Sequence, residues 1–154
     1  MPMNTQILLD HRPTGKVSPA NFRIIETPAP APGPGEVLVR HQFLSLDPYM
    51  RGRLSDAKSY ASPQEVGAVM GGGTVGIVEA SNNPGFKAGD AVIGMGGWQR
   101  YSVSDGHGLR VIDAKAIPIQ AYLGAVGMPG VTAWYGLNRI IAPKASETVL
   151  VSAQ

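Results

Sequence analysis

Glu36-Val37-Leu38-Val39-Arg40-His41-Gln42-Phe43-Leu44-Ser45-Leu46 is the segment on which the fold turns. Val37, Val39 and His41 fall on one side and Leu38, Arg40 and Gln42 on the other, the twofold period of a β-strand. Asp47-Pro48 ends it, because proline has no N–H to give to a ladder. Tyr49 to Lys58 is polar and basic and reads as a short helix or structured loop. Upstream, Pro28 to Gly35 packs four prolines and two glycines into eight residues, a stiff inter-strand loop rather than a recognition motif. Beyond that loop, Thr5–Leu9 and Phe22–Glu26 are short strand candidates separated by the turn His11-Arg12-Pro13-Thr14-Gly15. Downstream, Thr74–Glu79, Ala91–Ile93, Trp98–Ser104 and Leu109–Ile112 add further short strands. Asn82-Asn83-Pro84-Gly85 and Gly89-Asp90 are turns between them. Short strands punctuated by Gly and Pro predict a small barrel or sandwich, mainly β in an α+β chain.

Composition agrees. The chain has 154 residues, 44% hydrophobic and 16% charged, with Gly 20 and Pro 13. That supports one packed, turn-rich domain and excludes a charged disordered tail. The formal charge of +2 is no nucleic-acid footprint. Cysteine is absent, which excludes a disulfide framework, thiolate zinc, iron–sulfur clusters and a cysteine nucleophile. His11, His41 and His107 lie in unrelated segments, so no metal site is expected. Met1–Asp10 has no basic start followed by an apolar run, and no stretch approaches a membrane helix. A cytoplasmic protein without membrane or nucleic-acid partners is the expectation.

The texture changes near Pro118. Ile119–Ile141 is apolar and broken once by Gly127-Met128-Pro129-Gly130, which predicts two helices with Pro129 opening the second. Ala142-Pro143-Lys144 ends it. Glu147–Ala153 then reads as a buried-type strand. A lone parallel strand leaves its edges unpaired, so the chain is expected to stop inside a second domain.

Six stretches in order carry a family resemblance: Leu44-Ser45-Leu46-Asp47-Pro48-Tyr49-Met50-Arg51-Gly52-Arg53; Asp56-Ala57-Lys58-Ser59-Tyr60; Gly72-Gly73-Thr74-Val75-Gly76; Gly94-Met95-Gly96-Gly97-Trp98-Gln99; Gly127-Met128-Pro129-Gly130-Val131-Thr132-Ala133; and Pro143-Lys144 with Glu147 to Ala153. Together they resemble the zinc-free medium-chain dehydrogenase/reductases, in the branch of NADPH-dependent alkenal double-bond reductases. The resemblance covers essentially the whole chain. It implies a GroES-like β-barrel catalytic domain over residues 1–118 and the start of a Rossmann nucleotide-binding domain over 119–154. It also implies a parent about twice as long and homodimeric, NADPH as cofactor with its main binding elements beyond this chain, and a small enone or alkenal as substrate. Ser146 stands where the family has glycine, Trp134 where it usually has tyrosine, and Gln154 where a small residue is expected.

The resemblance also nominates site residues. Reduction of an enone leaves an enolate, whose charge a phenol can stabilise or protonate. Tyr60 is the first candidate, against a plain surface-loop tyrosine. Tyr49 is its rival, against a tyrosine that caps the barrel. Tyr49, Met50 and Arg51 are candidate substrate contacts. Arg51 and Arg53 offer forked hydrogen bonds to a phosphate or carboxylate, or else form a solvated basic face paired with Asp47 or Asp56. Gly127, Met128 and Thr132 are the cofactor-side candidates, with core filling the alternative for Met128. Trp98 is either a pocket wall or barrel core. Gly71-Gly72-Gly73 lacks the Gly-Lys-Ser/Thr continuation of a phosphate loop and reads as a tight corner. A quinone reductase of the same superfamily and a non-catalytic fragment are the alternative readings; the chain alone is expected to be inactive.

Overall fold

The computed structural model describes residues 2–59 and 61–152. Two antiparallel sheets form the body. The first pairs β1 (Met3–Leu9) with β2 (Phe22–Pro28), Met3 opposite Pro28 and Leu9 opposite Phe22. The second has five strands: β3 (Val37–Leu44), β4 (Thr74–Ser81), β5 (Ala91–Gly94), β6 (Tyr101–Ser104) and β7 (Arg110–Val111), in the order β6-β3-β4-β5-β7. The mainly β architecture expected from the Gly/Pro-spaced strands is the one observed.

β3 is central, flanked by β4 and β6. Its alternation is interrupted by register shifts at Leu38/Val39 and His41/Phe43. Such bulges bend a strand and raise its twist, which curls the sheet toward closure. Leu38 is buried too, outside the cluster that Val37 and Val39 form.

Closure is made by β1. The Ile7 N–H donates to Trp98 O at 2.9 Å and Met70 N–H donates to Ile7 O at 2.9 Å. Asn4, buried, acts as a surrogate strand residue toward β6. Tyr101 N–H donates to Asn4 Oδ1 at 2.9 Å, and Asn4 Nδ2 donates to Tyr101 O at 3.0 Å. One side-chain amide thus satisfies both polar groups of a buried peptide position.

Three apolar clusters fill the interior. Val37, Val39, Val78 and Val92 meet Phe86 and Leu109. Leu9, Leu54 and Met70 meet Phe22 and Trp98, whose rings stack with centroids 5.5 Å apart. Val75, Ala91 and Ile112 are covered by Ile119, Tyr122 and Leu123. Trp98 therefore packs on the core while also lining a surface groove, and its indole Nε1 is buried without a hydrogen-bond partner. Gly72 sits where a Cβ would lie 2.9 Å from Leu44 Cδ1 and 3.2 Å from Trp98 Cδ1. The triple glycine is a close-packed corner leading into β4, as expected.

Past the barrel, the first expected helix is only a 3-10 turn, Ile119–Leu123. The second is α2 (Met128–Tyr135), opened by Pro129 as expected and widened into π turns over Gly136–Ile141. The short helix α1 (Tyr49–Arg53) follows β3. Residues 147–152, expected to form a strand, pair with no neighbour, and Leu150 and Val151 are 89% and 88% exposed. A strand exists through its ladder, and this segment has none. Ser146, at the position where the resemblance implies glycine, adopts a left-handed φ of 74°. Among the described residues no helix is long and apolar enough to cross a membrane.

Candidate functional site

The β3 strand runs out through Ser45 and Asp47 into α1, and this exit places Tyr49. Ser45 N–H donates to Gly73 O at 2.9 Å, tying the exit to the glycine corner. Met50 N–H donates to Asp47 O at 3.1 Å and opens the helical turn. The Arg53 guanidinium lies 5.8 Å from the Tyr49 ring centroid, a cation–π contact that orients the ring. Arg53 Nη1 also donates to Ser62 O at 2.8 Å, which binds α1 to the following loop.

Tyr49 lines a cavity of about 650 Å³. Its walls are largely apolar, with Ile93, Met95, Leu109, Leu123 and Met128, and Ser45, Asp47, Tyr49, Arg110 and Tyr122 supply the polar groups. An apolar cleft with few convergent polar groups is the ordinary form of a small-molecule site. Of the residues nominated from sequence, Tyr49 and Met128 meet here, from segments some eighty positions apart. Met128 is 73% exposed, so it stands on the rim and is not core filling.

The other nominated residues are placed differently. Met50 is buried and Arg51 exposed, and both line an apolar groove with Leu46 and Trp98 rather than the main cavity. Arg51 Nη2 donates to Gly15 O at 2.9 Å. Among the described residues neither Arg51 nor Arg53 is ion-paired, so the expected partners Asp47 and Asp56 are corrected to backbone carbonyls. Gly127 is buried, and a Cβ there would lie within bonding distance of Tyr122 O, so its glycine is required by the packing of its own turn. Thr132 Oγ1 donates to Met128 O at 2.8 Å, one turn back along α2. Tyr60 lies outside the described residues.

Sequence reasoning missed the cavity's neighbour. A second, more polar cavity of about 440 Å³ shares Gly94, Met95, Gly108 and Leu109 with the first. It gathers His41, Gln99, Ser102 and His107, so two of the three histidines read as unrelated share one wall. His41 Nε2 lies 2.8 Å from Ser102 Oγ, and its Nδ1 is buried without a partner. Gly96 presses on the ring: a Cβ there would lie within 2.3 Å of Nε2. Burial lowers the His41 pKa from 6.5 to about 4, so the ring is neutral at neutral pH. Met95 carried a signal, because it sits in the quoted Gly94–Gln99 stretch. His41 carried one as well, because the alternation of β3 puts it on the side of the buried Val37 and Val39. Among the described residues no three His, Asp or Glu side chains cluster as metal ligands.

Comparison with known proteins follows the same lines. The chain is 47% identical over 150 residues to the NADPH-dependent curcumin reductase of Escherichia coli K12, covering 97% of this chain and 44% of that protein. It is 37% identical over 156 residues to the NADP(+)-dependent 2-alkenal reductase of Nicotiana tabacum, covering 97% and 45%. It superposes on CurA of Vibrio vulnificus in complex with NADPH with a TM-score of 0.83 at 47% identity, over 91% of this chain and 42% of that one. The chain thus spans less than half the length of the relatives it matches. Residues 5–112, the span that builds the barrel and carries Tyr49 to the cavity, match the family described as the N-terminal domain of oxidoreductase, and the chain belongs to that family.

Proposed function

We propose that this chain is the substrate-side portion of an NADPH-dependent reductase that saturates the C=C bond of α,β-unsaturated aldehydes and ketones. The observation that carries the reading is the apolar cavity with the Tyr49 phenol on one wall and Met128 on its rim. The likeness to reductases of curcumin and 2-alkenals supports the substrate class. Residues 1–118 form the catalytic barrel in this reading, and residues 119–154 lead into the nucleotide-binding domain. The exposure of Trp134 and Ile140 on the helical segment supports that division.

Met128 and Thr132, on the first turns of α2, are the residues of this chain that fit the nicotinamide half of NADPH. Met128 offers an apolar wall, and Thr132 Oγ1 still has acceptor capacity after donating to Met128 O. The glycine of Gly127 is spent on its own turn and adds no cradle. NADPH, when bound, supplies the hydride that reaches the substrate β-carbon. Apolar walls keep the reacting carbons out of bulk water. The Tyr49 hydroxyl holds the carbonyl oxygen as enolate charge develops, and a phenol or water returns a proton to the α-carbon. Tyr60 is the second candidate for that proton. The reaction needs no metal in this scheme, and the reductant ends as NADP⁺.

Binding of a simple enone to the chain tests the cavity's role. Amide resonances of Gly73, Leu123 and Met128 should shift together on titration with a saturable curve. Shifts scattered away from the cavity, or none, would overturn the assignment.

A further inference from the structure

The two cavities share a wall, and the wall is made of movable or minimal groups. Gly94 and Gly108 have no side chains, Leu109 packs over Gly94, and Met95 lines both spaces while being 72% exposed. Leu109 Cδ1 lies 2.8 Å from where a Gly94 Cβ would be, so glycine at 94 is what lets this partition be thin. Methionine is unbranched and flexible, and it swings aside at low cost.

The chemistry on the far side is neutral and hydrogen-bonding. Ser102, Gln99, His41 and His107 line it, with no carboxylate or guanidinium. The Gln99 amide is already held by Asn4, Gln6 and Gly96 O, so Ser102 is the hydroxyl left to a ligand. His41 is held neutral by burial and keeps an unpartnered Nδ1. The Ser102 hydroxyl, bonded to His41 Nε2, has room for a second hydrogen bond and is the group a ligand in this cavity would meet.

We infer that the polar cavity behind Met95 is a distal subsite of the substrate site, taking a neutral hydroxyl-bearing end of an elongated enone whose reacting carbons lie beside Tyr49. This rests on the reading of the apolar cavity as the enone site. The subsite selects for length and for a terminal hydroxyl, while the apolar cavity selects the unsaturated carbonyl.

The test uses the ¹⁵N-labelled 154-residue chain and two ligands, a straight-chain enone and its ω-hydroxy analogue. The hydroxy compound should bind about fivefold more tightly, the worth of one neutral hydrogen bond. It should shift the amides of Gly96 and Ser102 and the His41 ring signals in addition to Gly73 and Leu123. Ser102→Ala should erase the affinity difference and leave the plain enone unaffected; the wild-type shift map decides the matter if that variant folds poorly. Equal affinities with shifts confined to Gly73 and Leu123 would overturn the subsite and leave the enone site standing. Absence of shifts at Gly73 and Leu123 with either compound would sink the enone reading, and the subsite with it.

Discussion

Lowering the pH should loosen this barrel through His41. Its ring lies against Gly96, its Nε2 meets only the Ser102 hydroxyl, and its Nδ1 has no partner. No carboxylate contacts it to reward protonation. The folded pKa of about 4 lies below the unfolded 6.5, so the unfolded chain binds the extra proton. Stability is therefore complete above pH 6.5 and is lost as pH falls through 6.5 toward 4. The linkage gives a loss of about 2 kcal/mol between pH 7 and pH 5, rising to about 3 kcal/mol below pH 4. Urea unfolding followed by tryptophan fluorescence should show the midpoint falling by about 1 M between pH 7 and pH 5. His41→Gln keeps a neutral hydrogen-bonding side chain at every pH and should flatten that change to within about a quarter of its size. A variant whose midpoint falls as steeply as wild type would refute the reasoning.

Five further outcomes follow from the packing and the site. Asn4→Ala strands the buried N–H and C=O of Tyr101 and should cost about 2–3 kcal/mol in urea unfolding. Gly76→Ala drives a Cβ to 2.3 Å from Arg40 O, a backbone atom, and should cost about 3 kcal/mol or prevent folding. Gly72→Ala meets the ends of Leu44 and Met50 and the edge of the Trp98 ring, side-chain atoms rather than backbone, and should cost about 1 kcal/mol by the same assay. Removal of residues 146–154 should leave the urea midpoint unchanged, because Leu150 and Val151 are exposed. In an active enzyme carrying this barrel, Tyr49→Phe should lower kcat by about a hundredfold. Loss on Tyr60→Phe alone would move the acid role to Tyr60.

The strands were legible because each is short, apolar on alternate positions and bounded by Gly, Pro or Asp-Pro. Their order was not. The placement of β3 between β4 and β6, and the clasp of Asn4 on Tyr101, are contacts across nearly a hundred positions that no local period encodes. Alternation along β3 put His41 on the side of the buried Val37 and Val39, but it did not disclose that Leu38 is buried as well. Tyr49 and Met128 were nominated through the resemblance, and the fold brings them to one cavity. Arg51 was nominated by the same motif, but the helical turn of α1 carries it to another face. Residues 147–152 have the composition of a buried strand, yet composition without a neighbouring ladder makes none. Ser146 is the converse case, because its departure from glycine coincides with a positive φ that the backbone still adopts.

The most direct test joins residues 1–145 of this chain to the remaining portion of the Escherichia coli curcumin reductase it resembles, and follows NADPH oxidation at an absorbance specific to the reduced cofactor. The account predicts oxidation that depends on an added enone, saturates with it, and yields the saturated ketone. A chimera that folds and binds NADPH yet leaves every enone untouched while reducing a quinone would contradict it.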